Sequence, residues 1–256
     1  MYCSTISQSK SDTFTQCRLK YNYRYVKKIE EANVKADAMH FGSYIHKIFE
    51  EGVEATTYKE LDELASNLAS EYNFDDSFAK KTSGCLKNFL RLNASLPEIG
   101  QTELVYEVSA AEGITLNGII DRVIKGTKGG YLVIDYKTGK REKSKFDLFD
   151  DEQMQGYCYA IHKILNVPIA DITVAHYYPI SDNLVSVNYS PAQIGAYVRK
   201  KIDQVWRIRK CTNKDMLPSR NMFCNWCGYK YVCPIFNNEQ VVAKRLDEAG
   251  PLPKRK

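Results

Sequence analysis

Apolar residues recur three and four positions apart through most of the first hundred residues, which predicts four amphipathic helices there. The second, over residues 36–53, puts Phe41, Ile45, Ile48 and Phe49 on one side, with His46 beside Ile45. The third carries Leu61, Leu64 and Leu68, and the fourth, ending before Pro97, carries Leu86, Phe89, Leu90 and Leu92. From Gln101 the pattern changes to that of strands. Residues 103–110, 114–125 and 130–137 read as three strands separated by Glu112-Gly113 and by the glycine-rich 126–130, a spacing that predicts a meander. Residues 150–165 return to a helical period, and 172–180 and 184–190 read as two more strands. Ser190-Pro191-Ala192-Gln193 then opens a long helix: the serine is an N-cap, the proline suits the first turn and the glutamine can close a capping box. Down that helix Ile194, Val198, Ile202, Val205 and Trp206 make an apolar stripe, expected to face the core.

These elements predict an α/β fold, a small mixed sheet flanked by helices. A mainly helical part over 1–100, a sheet core over 101–190, a long helix with a cysteine-rich segment over 191–240 and a basic tail over 241–256 are expected to form one domain. At 256 residues, with 44% hydrophobic and 26% charged side chains, the chain is long enough for a sizeable core, and it is unlike disordered, collagenous or membrane-embedded sequences. No apolar run approaches a membrane span. The first residues, MYCSTISQSKSD, lack the apolar stretch of a secretion signal, so a cytoplasmic, reducing setting without structural disulfides is expected.

Lys and Arg number 36 against 31 Asp and Glu, a net charge of +5 that permits nucleic-acid binding without demanding it. Residues 125–145 hold seven basic side chains, with only Asp135 and Glu142 opposing them, and phosphates would favour such a segment.

Within that region lies the first constellation of chemical interest. Asp121 ends the apolar run Gly118-Ile119-Ile120, and Asp135 and Lys137 flank Tyr136 after Leu132-Val133-Ile134. Alternation along a strand brings Asp135 and Lys137 out on one face, and a hairpin partner can set Asp121 alongside. Two carboxylates and an ammonium are what metal-assisted phosphodiester hydrolysis requires: oxygens for a hard divalent cation, and a cation to orient water and hold developing charge. A lone D-x-K is common on solvated strands, so the apolar context carries the weight.

The second constellation is Cys224, Cys227 and Cys233, three of eight cysteines gathered within ten residues among Trp226, Tyr229 and Tyr231. Three thiolates need a fourth ligand from elsewhere in the chain, and four would satisfy zinc or a 4Fe-4S cluster alike.

In order along the chain, Cys17, His46 in GSYIH, Gly118 to Asp121, D-Y-K-T-G at 135–139, Gln153-x3-Tyr157 and the C-terminal cysteine triplet resemble the RecB-like branch of the PD-(D/E)XK nucleases, which includes the nuclease domain of AddB and the CRISPR-associated adaptation nucleases. The resemblance spans most of the chain and implies a restriction-endonuclease-like core in a single nuclease domain. It implies a Mg2+ or Mn2+ site made by His46, Asp121, Asp135 and the backbone carbonyl of Tyr136, with Lys137 catalytic and Glu107 a candidate second-metal ligand. Gln153 and Tyr157 would line the site. Cys17 would be the fourth ligand of a 4Fe-4S cluster, with zinc the alternative; many relatives have proline after this cysteine, whereas here Arg18 follows, and Cys3 is the other cysteine near the start. His40, His162 and His176 match nothing in the family pattern. The implied activity is a DNA nuclease, an exonuclease on DNA ends or single strands in recombination, repair, phage DNA processing or CRISPR adaptation. The competing class is a non-catalytic nucleic-acid-binding or zinc-stapled interaction subunit. No G-x-x-x-x-G-K-[ST] occurs, so a helicase, recombinase or CRISPR adaptation protein would be a separate partner, and no membrane partner is expected.

Overall fold

In the computed structural model of the chain, residues 3–32, 37–72, 76–127 and 129–249 are described; Lys128 of the basic run and residues 250–256 of the expected tail lie outside them. The chain opens with β1 (Thr5–Ile6), α1 (Gln8–Gln16), α2 (Arg18–Tyr21) and a π-helical turn (Asn22–Lys27), followed by α3 (Asp37–Glu51), α4 (Tyr58–Tyr72) and α5 (Asp76–Ser95). Then come β2 (Gln101–Ala111), β3 (Ile114–Lys125), β4 (Tyr131–Tyr136), α6 (Lys145–Phe149) and α7 (Glu152–Leu165). β5 (Ile172–Tyr178), β6 (Asn183–Asn188), α8 (Pro191–Lys210) and α9 (Glu239–Ala249) complete it. This is the mixed α/β architecture that the periodicities predict. No helix among the described residues is long and apolar enough to cross a membrane.

The chain divides into two compact units. One comprises Asp37–Ala110 and Thr115–Arg199. Its β3 pairs antiparallel with β4, and β4 lies parallel to β5 with Asp135 beside His176 and Tyr136 beside Tyr177. A parallel pair cannot be joined by a tight turn, and α7 supplies the crossover between β4 and β5. β6 closes antiparallel on β5, and β2 pairs with β3 on the other side. The stripe of α3 is the core it was expected to be: Ile45, Ile48 and Phe49 are fully buried and cluster with Leu61, Leu86, Phe89, Ile134 and Tyr136. Each such side chain contributes about 1.5–3 kcal/mol by leaving water.

The other unit comprises Met1–Ala36, Ala111–Ile114 and Lys200–Lys256. Here the first predicted helix is two helices, because Cys17 takes an extended conformation (φ −159°, ψ 109°) and its sulfur caps α2 by accepting from the Lys20 amide at 3.4 Å. Two predictions fail in detail. The tail starts later than residue 241: α9 runs on to Ala249, with Leu246 packed on the cluster of Tyr23, Ile29, Tyr229 and Val232 and Arg245 Nη1 donating to the Tyr231 carbonyl at 2.7 Å. In α8 the capping box forms as read, but Trp206 is exposed and Ile208 continues the buried stripe. The Arg209 guanidinium, 4.7 Å above the indole, covers the ring instead.

Candidate active site and thiol site

Tyr136 is the hub of the first site. Its ring is driven into the core, edge-on to Phe49 at 5.0 Å and Phe89 at 6.1 Å, which fixes the peptide groups on either side of it. Its amide donates to Asp121 Oδ2 at 2.7 Å, and its carbonyl accepts from His46 Nε2 at 2.8 Å. The other imidazole nitrogen of His46 is 3.5 Å from the same Asp121 oxygen. Two glycines of the motifs permit the approach. A Cβ on Gly42 would stand 3.1 Å from Thr138 Oγ1, and one on Gly118 would collide with the Tyr106 ring at 2.7 Å.

Asp135 is 2% exposed. Lys137 follows the end of β4 with its amide held by the Tyr177 carbonyl at 2.9 Å, and its Nζ lies 2.6 Å from Asp135 Oδ2. Among the described residues that ion pair is the one close polar contact of this buried oxygen. The ammonium donates to Gln153 Oε1 at 3.1 Å, Gln153 Nε2 donates to the Tyr157 hydroxyl at 2.8 Å, and that hydroxyl reaches Asp135 Oδ1 at 3.4 Å. Gln153 and Tyr157 stand one turn apart on α7, whose N-cap is Asp151. Six of the seven side chains expected at the site therefore come together in two sets, His46 and Asp121 on the Tyr136 peptide groups and Asp135, Lys137, Gln153 and Tyr157 on one another, joined through the backbone of residues 135–137.

Glu107 does not. It is exposed on β2, whereas Glu103, four residues earlier, lines an open cavity of about 400 Å³ with His46, Asp121, Glu50 and Lys47. Glu103 has φ +47°, a left-handed conformation that breaks the alternation of the strand and re-aims the side chain; such strain in a non-glycine residue concentrates at functional sites. Nothing in the sequence marks that kink. His176 is the other residue that the motifs leave out. It is fully buried on β5, with Nε2 3.9 Å from Asp135 Oδ2 and 3.6 Å from Asp151 Oδ2.

The electrostatics follow from packing carboxylates into this interior. Burial raises Asp135 to about 6 against the pull of Lys137. Burial also raises Glu103, with the Asp121 and Glu50 carboxylates adding to it. For His46 burial acts downward, but Asp121, Asp135 and the Tyr136 carbonyl together turn the net shift upward. For Lys137 burial also acts downward, and the Asp135, Asp121 and Asp151 carboxylates together turn the shift upward. Burial, with Lys137 nearby, lowers His176 to about 4. A site whose carboxylates are raised by burial and by one another, with one buried oxygen balanced by Lys137 alone, suits a hard cation. Among the described residues, no three His, Cys, Asp or Glu side chains stand as they are in an arrangement able to hold a metal ion; His46 Nε2 is on the Tyr136 carbonyl instead.

The thiol site lies in the other unit. Cys17, Cys224, Cys227 and Cys233 line one cavity of about 40 Å³, room for more than one water. Cys224 Sγ accepts from the Asn221 amide at 3.4 Å, as Cys17 does from Lys20. Burial raises the Cys227 and Cys233 thiols, and neighbouring cysteines add to the rise in both. Sulfurs that oppose one another's ionisation are relieved by a cation among them, so the donor set fits a thiolate-bound centre. Cys3 is not in this cavity: its sulfur accepts from the Tyr21 hydroxyl at 3.8 Å. Cys85 and Cys158 are fully buried, and all eight cysteines are unbridged.

The family model of the PD-(D/E)XK nuclease superfamily matches residues 5–234. An ATP-dependent helicase/deoxyribonuclease subunit from Streptococcus agalactiae serotype Ia is 26% identical over 159 residues, which is 56% of this chain and 14% of that protein. The protein of the same name from Streptococcus mutans serotype c is 23% identical over the same shares. The chain thus corresponds to about one seventh of those relatives' length. Among solved structures, a protein from Eubacterium rectale assigned as an exonuclease superposes with a TM-score of 0.56 at 14% identity, over 88% of this chain and 87% of that one, a likeness of fold.

Proposed function

Because this chain belongs to the PD-(D/E)XK nuclease superfamily, we propose that it is a metal-dependent deoxyribonuclease that attacks DNA ends or single strands. The observation that carries this reading is the convergence of Asp121, Asp135, Lys137 and His46 about the two peptide groups of Tyr136. Asp121, Asp135, His46 and the Tyr136 carbonyl would hold Mg2+ or Mn2+, with Glu103 rather than Glu107 beside them. When bound, the ion would acidify a water and neutralise phosphate charge. Lys137, held by Gln153, would orient the attacking water and offset charge on the phosphate oxygens, and Tyr157 would brace both Gln153 and Asp135.

Cys17, Cys224, Cys227 and Cys233 are proposed to bind a 4Fe-4S cluster that ties the two ends of the chain. The relatives are named as helicase/deoxyribonuclease subunits, and a separate helicase is the partner proposed here. The test is digestion of linear DNA labelled at either end, with Mg2+ or Mn2+ and a closed circle as control. Digestion of the linear form alone supports an exonuclease; digestion of neither sinks the activity. Iron and acid-labile sulfide in protein purified without oxygen support the cluster, and stoichiometric zinc in their place would replace it.

A further inference from the structure

Behind the carboxylate that would hold the metal lies a ring of contacts that the proposed chemistry leaves unused. From Asp135 it passes to Lys137 at 2.6 Å and to Gln153 at 3.1 Å, and the Gln153 amide donates to Asp151 Oδ1 at 2.9 Å. From Asp151 Oδ2 it reaches His176 Nε2 at 3.6 Å, and from there Asp135 Oδ2 at 3.9 Å. β4 and β5 make the last step inevitable, since Asp135 and His176 are register partners in a parallel pair.

Two buried atoms of the ring face each other: His176 Nε2, which has no hydrogen-bond partner among the described residues, and Asp135 Oδ2, whose one close polar contact is the Lys137 ammonium. The far side of the imidazole is satisfied. The Lys143 amide donates to the Tyr178 hydroxyl at 2.8 Å, and that hydroxyl sits 3.3 Å from His176 Nδ1. The hydroxyl oxygen accepts from Lys143 and can give its own proton to Nδ1, the arrangement that leaves the ring proton on Nε2, facing the two carboxylates. Lys143 Nζ holds Asp151 from outside at 2.5 Å, so Asp151 is fixed between α7 and His176. Carboxylates that bind metals need an outer partner of this kind, and loss of one costs about 10- to 100-fold in metal affinity or activity.

We propose that His176 is a positioning residue: its Nε2–H orients the Asp135 carboxylate for the metal and couples it, through Asp151, to the helix that holds Lys137 in place. The proposal rests on the nuclease reading of the site. It makes His176 important to metal binding without touching metal or DNA.

The test uses the full chain, purified anaerobically and freed of added divalent ions. Mn2+ binding is titrated by the electron paramagnetic resonance of the free ion, and cleavage rate is measured against Mn2+ concentration. His176→Leu should raise the Mn2+ concentration for half-saturation about tenfold or more in both measurements. The rate at saturating Mn2+ should fall less than about threefold, and metal-free DNA affinity should not move. His176→Gln, whose amide nitrogen reaches the place of Nε2, should recover most of the loss. His176→Asn is too short and should not, which keeps the test alive if the leucine variant does not fold. A purely structural role would instead lower Tm and the saturated rate together and leave Mn2+ affinity unchanged, and that result overturns the proposal. Mn2+ binding with this mutational pattern but no cleavage would sink the nuclease reading and leave His176 its role; cleavage with identical Mn2+ curves for His, Gln and Asn would do the reverse.

Discussion

The two sites are built on opposite plans. The carboxylate site stands on β3, β4, α3 and α7, elements already fixed by the apolar cluster around Ile45, Phe49 and Tyr136, and its unit carries 22 acidic against 16 basic side chains. The thiol site stands on short turns at the two ends of the chain, backed by a small cluster of Tyr23, Ile29, Tyr229 and Val232, and its unit carries 9 acidic against 20 basic side chains. One centre exploits a core that exists without it. The proposed thiolate centre would supply part of what its surroundings lack, since among the described residues Leu19 to Leu217 and Ala32 to Gly228 are the backbone bonds that join those ends outside helices and strands.

The sharpest way to break that contrast is to remove one group from each site. Lys137→Ala should lower the cleavage rate at least about a thousandfold, because a preformed charge aimed at the transition state is lost, while Tm moves by no more than about 2 °C. The ammonium is partly exposed and belongs to no packed cluster, so the fold does not depend on it. Cleavage within tenfold of wild type would refute its assignment.

Cys17→Ser should do the opposite. Loss of one thiolate releases a cross-link between residues far apart in sequence, at a cost of about 3 kcal/mol or more, roughly 10 °C in Tm. Scanning calorimetry beside iron analysis checks this, with Cys3→Ser as control: Cys3 lies outside the cavity and its variant should keep its iron. An iron-free Cys3→Ser protein beside an iron-replete Cys17→Ser protein would reverse the ligand choice.

Much of this was legible in the sequence, for reasons particular to each part. The β3 and β4 segments read directly because a run of β-branched residues bounded by glycine admits little else, and period two then set Asp135 and Lys137 on one face. His46, Gln153 and Tyr157 were singled out by the resemblance to the family's motifs, since an isolated histidine or glutamine on an apolar-striped helix carries no such mark. His176 was invisible because the parallel pairing of β4 with β5 is a long-range event, written in neither strand alone. Glu103 was missed because Glu107 was taken from the family resemblance, and the left-handed residue that turns Glu103 toward the cavity has no mark in the sequence. Trp206 was misjudged because a cation over its ring makes exposure tolerable, and a stripe of apolar letters does not record that.

The cost of the carboxylate site offers a smaller test. Burial lifts the folded-state pKa of Asp135 from 3.8 to about 6, so the folded protein holds that proton over a range where the unfolded chain has lost it. The stability this proton brings is greatest below pH 3.8 and is lost as pH rises through 6. At pH 7.5 and without metal, Asp135→Asn should therefore be more stable than wild type by about 1–3 kcal/mol, a gap that closes toward pH 4. Mn2+ should also close it, by stabilising only the wild type. A variant less stable at both pH values would mean that the ion pair with Lys137 outweighs burial.

The charge imbalance between the units leads to the finest discrimination. Counterion release makes the salt dependence of DNA affinity a count of phosphate contacts, with a slope of about −0.9 per contact on duplex and about −0.7 on single strands. The sequence drew attention to residues 125–145, yet the unit that contains them is acidic overall, and Lys143 is committed to Asp151 and Lys137 to Asp135. Among the described residues Lys125, Lys140, Arg141 and Lys145 are left as exposed basic side chains in that segment, with Lys140 and Arg141 adjacent. Arg207 and Lys210, in the last turns of α8, sit in the basic unit. If its 20 basic side chains supply most of the phosphate contacts, Arg207→Gln with Lys210→Gln should reduce the salt slope by about 1 to 2, while Lys140→Gln with Arg141→Gln should reduce it by less than about 1. Fluorescence anisotropy of a labelled single strand, measured from low to moderate salt without divalent ions, gives both slopes. The reverse ranking would move the DNA surface to the acidic unit and make its short basic stretch, rather than the net charge around it, the feature that phosphates read.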